Sequence, residues 1–106
     1  MGDGSMNGIC QGGKMITKVA RLVHFDGLVQ GVGFRYAANT LAKRYAITGY
    51  VQNVPGGLVE LYAEGPQEDV DEFIDAVREE MGEYITNVDV QEAPISGEYT
   101  RFMVKY

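Results

Sequence analysis

The chain has 106 residues, and its nine Lys and Arg against fifteen Asp and Glu give a net charge of −6. That length suits a single domain of about 100 residues, and the acidic balance would repel a polyanion, so nucleic acid is not an expected partner. A lone cysteine, Cys10, and the lack of a ~20-residue apolar run or a signal-peptide pattern argue against a disulfide framework, a thiol metal site and a membrane anchor. We therefore expect a cytoplasmic protein that acts as a monomer and holds no metal.

The first residues of the chain have little to bury. The stretch "MGDGSMNGICQGGK", residues 1–14, contains five glycines. Such composition predicts a flexible N-terminal tail, which we place at residues 1–16, ahead of one domain at residues 17–106.

A strand and a helix are predicted next. Val23 and Phe25 alternate with polar neighbours in a run that Gly27 ends, which predicts a strand from about Val19 to Asp26. A helix is predicted from Phe34 to Tyr45, because apolar residues recur there at helical spacing: Phe34, Ala38, Leu41, Ala42 and Tyr45.

The middle of the chain has the pattern of a hairpin. "TGYVQN", residues 48–53, indicates a second strand, and "LVELYAE", residues 58–64, alternates as a third. Between them Pro55 fixes one backbone dihedral, and Gly56 or Gly57 is expected to take a left-handed conformation in the turn.

The second half predicts a helix followed by two strands. "GPQEDVDEFIDAVREEMG", residues 65–82, has acids in its first turns and an apolar stripe formed by Val70, Phe73, Ile74, Val77 and Met81. Val88 and Val90 then alternate in a strand. After the turn "APISGE", a last strand places Phe102, Val104 and Tyr106 on one face.

This order of elements predicts an α+β, ferredoxin-like two-layer sandwich, with a mainly antiparallel sheet and two helices on one face. The first two strands then run parallel, so the loop after Asp26 and the end of the second strand lie at the same edge of the sheet. Arg35 and Asn53 are therefore expected to converge across about 10 Å, twice the strand spacing. The last strand is expected beside the first, which would bring the Tyr106 carboxylate near Arg35.

The loop before the first helix has the composition of an anion site. Gly27, Gly31 and Gly33 permit positive dihedrals and close approach to the main chain, and the helix start leaves backbone N–H groups free. Arg35 adds a fixed charge whose planar fork matches two phosphate oxygens. The glycine spacing alone fits two interpretations equally well: a site for a phosphate-like ligand, or a tight turn beside a solvated arginine. The spacing matches neither a Walker loop nor a convincing dinucleotide fingerprint.

The whole phrase is more specific than its glycines. "GLVQGVGFRYAANTLAKRYAITGYVQNVPGGLVELYAEG", residues 27–65, resembles the signature of the acylphosphatase family. In that signature a Gly-x-Val-Gln-Gly-Val-x-Phe-Arg run is followed by a helix and a Gly-aromatic-Val-x-Asn strand. The resemblance extends more loosely over residues 17–106, and it implies the same sandwich fold.

The resemblance also implies an activity and a site. The activity is hydrolysis of small acyl phosphates to a carboxylate and inorganic phosphate, without a metal or organic cofactor. Arg35 and Asn53 fall on the family's essential arginine and catalytic asparagine. The family's phosphate loop falls on Leu28, Val29, Gln30, Gly31, Val32 and Gly33. Tyr50 stands where many members have tryptophan, and Val54 replaces a hydroxyl residue found in some members.

The residues themselves restrict the mechanism. No Ser, Cys or His lies within residues 28–33, so attack is expected from water rather than from a covalent nucleophile. Asn53 can orient that water but cannot deprotonate it at neutral pH, which leaves the bound phosphate as the expected proton acceptor.

Other interpretations remain at this point. The strongest is a noncatalytic small-anion-binding or regulatory module on the same fold; carbamoyl-phosphate hydrolysis, as in domains of larger maturation proteins, and RNA binding come after it. His24 is expected to be a half-exposed surface histidine without a partner rather than a general base. Four tyrosines are expected at the edge of the core: Tyr36, Tyr45, Tyr50 and Tyr62.

Overall fold

The structure is a computed structural model, and it describes residues 10–11, 14–15 and 17–106. In that part of the chain, five strands form the main sheet and two helices pack on it. Their bounds are β1 (Lys18–Gly27), α1 (Phe34–Ala42), β2 (Thr48–Val54), β3 (Leu58–Pro66), α2 (Gln67–Glu80), β4 (Ile85–Glu92) and β5 (Phe102–Lys105), with a 3-10 turn at Gly82–Tyr84. The predicted α+β, ferredoxin-like sandwich is confirmed.

The strand order in the sheet is β4-β1-β3-β2-β5. β3 pairs antiparallel with both β1 and β2, so β1 and β2 run parallel with one strand between them. The sequence predicts that the last strand lies beside the first, and that prediction is wrong. β5 instead pairs in parallel with β2, because the free edge of β1 is already occupied by β4.

The core lies between the helices and one face of the sheet. β1, β2 and β3 each send alternate side chains into it, and α1 and α2 contribute their apolar stripes. The buried side chains include Val23, Phe25, Phe34, Ala38, Val51, Val59, Leu61, Val70, Phe73 and Val77. The predicted stripe of α2 is confirmed, since all five of its members are buried.

α1 ends earlier than the pattern predicts. The helix stops at Ala42, and the amides of Lys43, Arg44 and Tyr45 each donate to the carbonyl three residues back. This is the tighter 3-10 geometry common at helix ends. The ring centroid of Tyr45 lies 5.9 Å from that of Phe73, so Tyr45 packs on the core although it lies beyond the end of α1. This packing explains why the apolar spacing in the sequence includes Tyr45.

The expected tail, residues 1–16, lies mostly outside the described residues. Within it, Cys10–Gln11 and Lys14–Met15 pair as a two-residue antiparallel ladder. The domain described below begins at residue 17.

A buried carboxylate fastens the segment before β5 across the open face of the sheet. Glu64 is 3% exposed and accepts hydrogen bonds from the Tyr62 hydroxyl at 2.8 Å and from the amides of Ser96 at 3.1 Å and Gly97 at 3.3 Å. Burial opposes ionisation of this carboxyl, but the donors and Lys18 outweigh it and hold the pKa of Glu64 below its ordinary value. The ionised carboxylate therefore stabilises the fold.

The loop between β1 and α1 is fastened to the β2–β3 hairpin by one side chain. The amide nitrogen of Gln30 donates to the carbonyls of Val54 at 3.0 Å and Leu58 at 2.8 Å, on either side of the turn at Pro55–Gly57. The loop and the end of β2 are thus held together across the edge of the sheet. Gly56 and Gly57 both take positive φ values in that turn, 94° and 83°.

Replacing Glu64 should destabilise the protein in a pH-dependent way. The folded-state pKa is lowered, so the stabilisation by the carboxylate is present above its ordinary pKa of 4.5 and is lost as pH falls through the folded value. We expect Glu64→Gln to lose about 2 kcal/mol of unfolding free energy near neutral pH, typical of hydrogen bonds to a charged group. The loss should shrink in acid. Urea unfolding at several pH values measures it, with the exposed Glu92→Gln as control; a loss independent of pH would contradict the assignment.

Replacing Gln30 should loosen the loop without unfolding the domain. Gln30→Met keeps the length of the side chain but removes both hydrogen bonds, each worth about 1 kcal/mol. We expect faster hydrogen exchange at residues 28–33 and unchanged exchange in α2. Gln67→Met, at the exposed start of α2, is the matched control, and equal exchange rates in the two variants would show that Gln30 does not hold the loop.

Candidate functional site

At the start of α1, the described residues provide no hydrogen-bond acceptor for the first backbone amides. Gly33 caps the helix in a left-handed conformation without a side-chain hydrogen bond, and no acidic residue lies in the first turn. The first amide bonded to a carbonyl in the helical pattern is that of Ala37, which donates to Gly33 O at 2.9 Å, so the amides of residues 34–36 precede it. α2 differs, because Glu68 and Asp69 supply negative charge at its own start. An anion bound at the start of α1 would supply the negative charge that these two acids supply at the start of α2.

The glycines of the loop serve two different purposes. Gly31 and Gly33 have φ values of 82° and 81°, and a Cβ built on either would meet nothing within 4 Å, so their open side faces free space. Gly27 instead permits a close crossing of chains, because its Cβ would lie 2.2 Å from the carbonyl oxygen of Tyr84. The Leu28 amide already donates to that same oxygen at 2.9 Å. Loop amides that can meet a ligand therefore begin after Leu28.

The side chains of the predicted phosphate loop point in different directions. Val29 is fully buried and anchors the loop in the core, and Val32 packs partly against it. Leu28 is 79% exposed, and the Gln30 side chain is engaged with the hairpin. Any contact of this loop with an anion must therefore come from its main chain.

Arg35 is held at the first turn of α1 by the C-terminal strand. Its Nη1 donates to the carbonyl of Lys105 at 3.4 Å, and its guanidinium carbon lies 4.9 Å from the centre of the Tyr106 ring. Both contacts restrict the fork of the arginine. The sequence predicts that the Tyr106 carboxylate approaches Arg35 from a strand beside β1; in the structure the Tyr106 ring lies there, and β5 is beside β2. The Lys105 carbonyl is a further partner of Arg35 that no local signal in the sequence indicates.

Asn53 lies near the end of β2 on the face that the helices cover. It is paired with the buried Val59 of β3, so it shares that face rather than the open one. Arg35, Gly31, Gly33 and Asn53 all line one cleft with a volume of about 850 Å³. The cleft therefore contains the two residues that the sequence places at the centre of the site.

The charged side chains described along this cleft are all positive. Among the described residues that line it, none is Asp or Glu, although the whole chain has fifteen of them. Tyr36 also lines it and is 77% exposed, which contradicts its expected place at the edge of the core. Its position in the first turn of α1 turns it outward, whereas Phe34, two residues earlier, points into the core. The cleft thus combines fixed positive charge, main-chain donors and an aromatic rim.

Titratable groups with shifted pKa values lie on the opposite face of the sheet. Glu60 accepts hydrogen bonds from the Tyr50 hydroxyl at 2.7 Å and Gln52 at 3.0 Å, and lies 2.9 Å from His24 Nε2. Burial opposes ionisation of Glu60, but these three partners outweigh it and hold its pKa below the ordinary value. Burial and the Glu60 hydrogen bond raise the pKa of Tyr50. The sequence predicts a His24 without a partner, and that prediction is wrong. His24 pairs with Glu60 on the face of the sheet away from Asn53.

Two further features bear on the range of possible chemistry. Residues 10–11, 14–15 and 17–106 contain no group of three His, Cys, Asp or Glu placed to hold a metal ion. None of the helices described for this chain combines the length and apolar character needed to cross a bilayer. Near the loop, the cleft offers main-chain hydrogen-bond donors, the guanidinium of Arg35 and the carboxamide of Asn53, which together suit binding of a tetrahedral anion next to a water molecule.

Comparison with known proteins gives a consistent family. The sequence model of the family described as Acylphosphatase matches residues 21–104. An acylphosphatase of Bacillus velezensis is 40% identical over 82 residues, covering 76% of this chain and 91% of the relative. An acylphosphatase of Archaeoglobus fulgidus is 38% identical over 89 residues, covering 83% and 99%.

Solved structures agree with the sequence comparisons. The crystal structure of acylphosphatase from Bacillus subtilis superposes with a TM-score of 0.74 at 32% identity, covering 83% of this chain and 99% of that one. Full-length HypF, in a phosphate- and nucleotide-bound form, contains a similar region with a TM-score of 0.73 at 31% identity; it covers 89% of this chain but 12% of HypF. With its fold, its matched residues and these relatives in agreement, the chain belongs to the acylphosphatase family.

Proposed function

We propose that this chain hydrolyses the carboxyl-phosphate bond of acyl phosphates, with Arg35 and main-chain amides holding the phosphate and Asn53 orienting the attacking water. The observation that carries the proposal is the cleft that joins the uncapped start of α1, Arg35 and Asn53. Family membership supports the reaction class. The assignment of roles rests on the chemistry of these residues.

Phosphate binding follows from the donors. The amides after Leu28 and those at the start of α1 present partial positive charge, and the guanidinium of Arg35 offers a planar pair of N–H groups to two phosphate oxygens. The hydrogen bond to Lys105 O and the Tyr106 ring hold that guanidinium before a ligand arrives. A preorganised site of this kind loses little entropy on binding.

Asn53 supplies the group that hydrolysis needs and simple binding does not. Its carboxamide can accept a hydrogen bond from water and donate another, which fixes the water relative to the phosphorus atom. It takes no proton at neutral pH. Since no carboxylate or imidazole side chain lines the described cleft, a phosphoryl oxygen is the available proton acceptor.

The bond changes balance without a further reactant. The water oxygen forms a bond to phosphorus, and the bond between phosphorus and the acyl oxygen breaks with its electron pair left on the departing carboxylate. One water proton passes to a phosphoryl oxygen. A carboxylate is a good leaving group that needs no acid, so positioning and charge stabilisation account for the protein's part.

A noncatalytic anion-binding module on the same fold is the alternative function. It would need the loop and Arg35 but no water-positioning group, so the carboxamide of Asn53 in the cleft favours the enzyme. RNA binding has less support, because the open face of the sheet carries the ionised Glu60 and Glu64 where RNA would stack. Release of benzoate from benzoyl phosphate, followed spectrophotometrically with a chelator present, separates the enzyme from both alternatives. We retain the cytoplasm as the proposed location and small acyl phosphates as the proposed substrates.

Removing Arg35 should remove phosphate binding. Arg35→Ala deletes the one side-chain cation at the loop end of the described cleft, and truncating a partner of a charged hydrogen-bonded pair weakens binding at least about 30-fold. Titration calorimetry with inorganic phosphate measures the loss. Arg44→Ala, at an exposed position that does not line the cleft, controls for net charge, and equal affinities in the two variants would refute the role of Arg35.

Removing Asn53 should depress turnover far more than binding. Asn53→Ala leaves the phosphate donors in place but frees the water, and a lost transition-state contact of about 3 kcal/mol lowers kcat roughly 100-fold. Phosphate affinity should change less than about threefold, as expected when a residue acts chiefly in the transition state. Benzoyl phosphate kinetics beside phosphate titration measure both, with the exposed Asn87→Ala as control. Normal turnover in Asn53→Ala would exclude the water-orienting role.

A further inference from the structure

The cleft extends well beyond the part that a phosphate would occupy. Its volume of about 850 Å³ falls in the range of pockets that hold drug-sized organic ligands. Past the phosphate loop it continues between α1 and β5, where Asn39, Lys43, Thr100 and Arg101 line it. If the proposed function holds and the phosphate sits at the loop end, the remainder is available to the acyl group of the substrate.

One wall of this extension is a polar stripe on α1 and its end. Arg35, Asn39 and Lys43 are spaced four residues apart, so they lie on the same side of the helix. At the helical rise of 1.5 Å per residue, Asn39 lies about 6 Å and Lys43 about 12 Å along the axis from Arg35. All three line the cleft. A guanidinium, a carboxamide and an ammonium group thus follow one another along its length.

The opposite wall brings a third cation to the far end. The carbonyl of Arg101 accepts a hydrogen bond from the amide of Gly49 at 3.1 Å, which fixes Arg101 beside the beginning of β2. Asn53 lies near the other end of that strand. Because α1 leads into β2 through a short connection, Lys43 also lies toward the beginning of β2. Lys43 and Arg101 therefore share the end of the cleft that is remote from Asn53.

The charge of the lining is unlike that of the whole chain. Three of the nine Lys and Arg residues line the cleft, Arg35, Lys43 and Arg101, and none of the fifteen Asp and Glu residues does so among the positions described. A lysine at the C-terminal end of a helix also interacts favourably with the helix dipole. That effect accounts for Lys43 alone; it explains neither Arg101 across the cleft nor the lack of a carboxylate side chain along it.

We infer that the far end of the cleft binds a second anionic group, so that the preferred substrates are acyl phosphates with a carboxylate at the end of the acyl chain remote from the phosphate. Arg35 holds the phosphate, and Lys43 and Arg101 select for the distant negative charge. Asn39, halfway between, offers a hydrogen bond to polar groups of the intervening chain. The inference rests on the proposed function for its substrate class but is tested by binding alone.

The first test uses the unaltered protein and stable analogues. Alkylphosphonates that end in a carboxylate are compared with their methyl esters, which have the same skeleton without the second charge, across chains of increasing length. We expect the carboxylate to bind roughly fivefold more tightly once the chain spans the cleft, the size of effect expected for partly exposed ion pairs. Shorter chains should show no preference. Equal dissociation constants for acid and ester at every length would overturn the inference.

The second test identifies the residues. Lys43→Gln and Arg101→Gln should each reduce the preference for the carboxylate, and the double variant should bring the ratio of dissociation constants close to one. Arg44→Gln makes the same change of charge at a neighbouring position outside the cleft, so it should keep the full preference. Thermal unfolding and methylphosphonate binding establish that each variant is folded with an intact loop end. A double variant that still prefers the carboxylate would refute the assignment to Lys43 and Arg101.

The two proposals fail in different ways. If the native protein hydrolyses benzoyl phosphate but binds acid and ester equally, the proposed function stands and the second anion site is excluded. If it prefers the carboxylate analogue but releases no benzoate, the second anion site stands and the catalytic proposal is wrong.

Discussion

One feature of the backbone governs the cleft, namely the hydrogen-bonding needs of the amides at the start of α1. The first amides of α1 have no helical acceptors, and Gly33 caps the helix without a side chain that could satisfy them. At the start of α2, Glu68 and Asp69 place negative charge in the first turn, and the Gln67 amide donates to the Thr17 carbonyl. At α1 no such acid is present, and Arg35 adds further positive charge, which are the conditions that favour binding of an external anion.

The sheet determines how near the proposed anion site lies to Asn53, the residue proposed to orient the water. β1 and β2 are parallel and separated by β3, so the loop that follows β1 and the end of β2 lie about two strand spacings, roughly 10 Å, apart. Gln30 closes part of this gap by bonding to both sides of the β2–β3 turn. From the third strand in that neighbourhood, β5, the Lys105 carbonyl orients Arg35. Residues distant in sequence thus position the loop and Arg35, the groups proposed to bind the phosphate.

The sequence was most informative where the interactions are local. The stripe of α2 and the alternation of Val59 and Leu61 follow from the periods of a helix and a strand, and both are found as predicted. The neighbour of β5 could not be predicted, because it depends on which sheet edge β4 occupies, a contact between distant segments. The pairing of His24 with Glu60 was missed for the same reason, since 36 residues separate them. At the site, the glycines and Arg35 are recognisable from the local sequence. The hydrogen bonds from Gln30 to Val54 and Leu58 are not, because these residues are distant in sequence.

The two faces of the sheet carry charged groups with different roles. Charges on the open face stabilise the fold, and charges on the helix-covered face line the cleft. Shifted pKa values often mark functional sites, yet here Glu60 and Glu64 lie on the open face, where their ionised forms bind Tyr50, Tyr62 and the segment that crosses that face. The proposed reaction explains this arrangement. An acyl phosphate brings its own leaving group and proton acceptor, so the cleft needs fixed positive charge and oriented amides rather than a tuned acid or base. In such a site, backbone donors for which the described residues offer no acceptor are the more informative sign, and they lie at the start of α1.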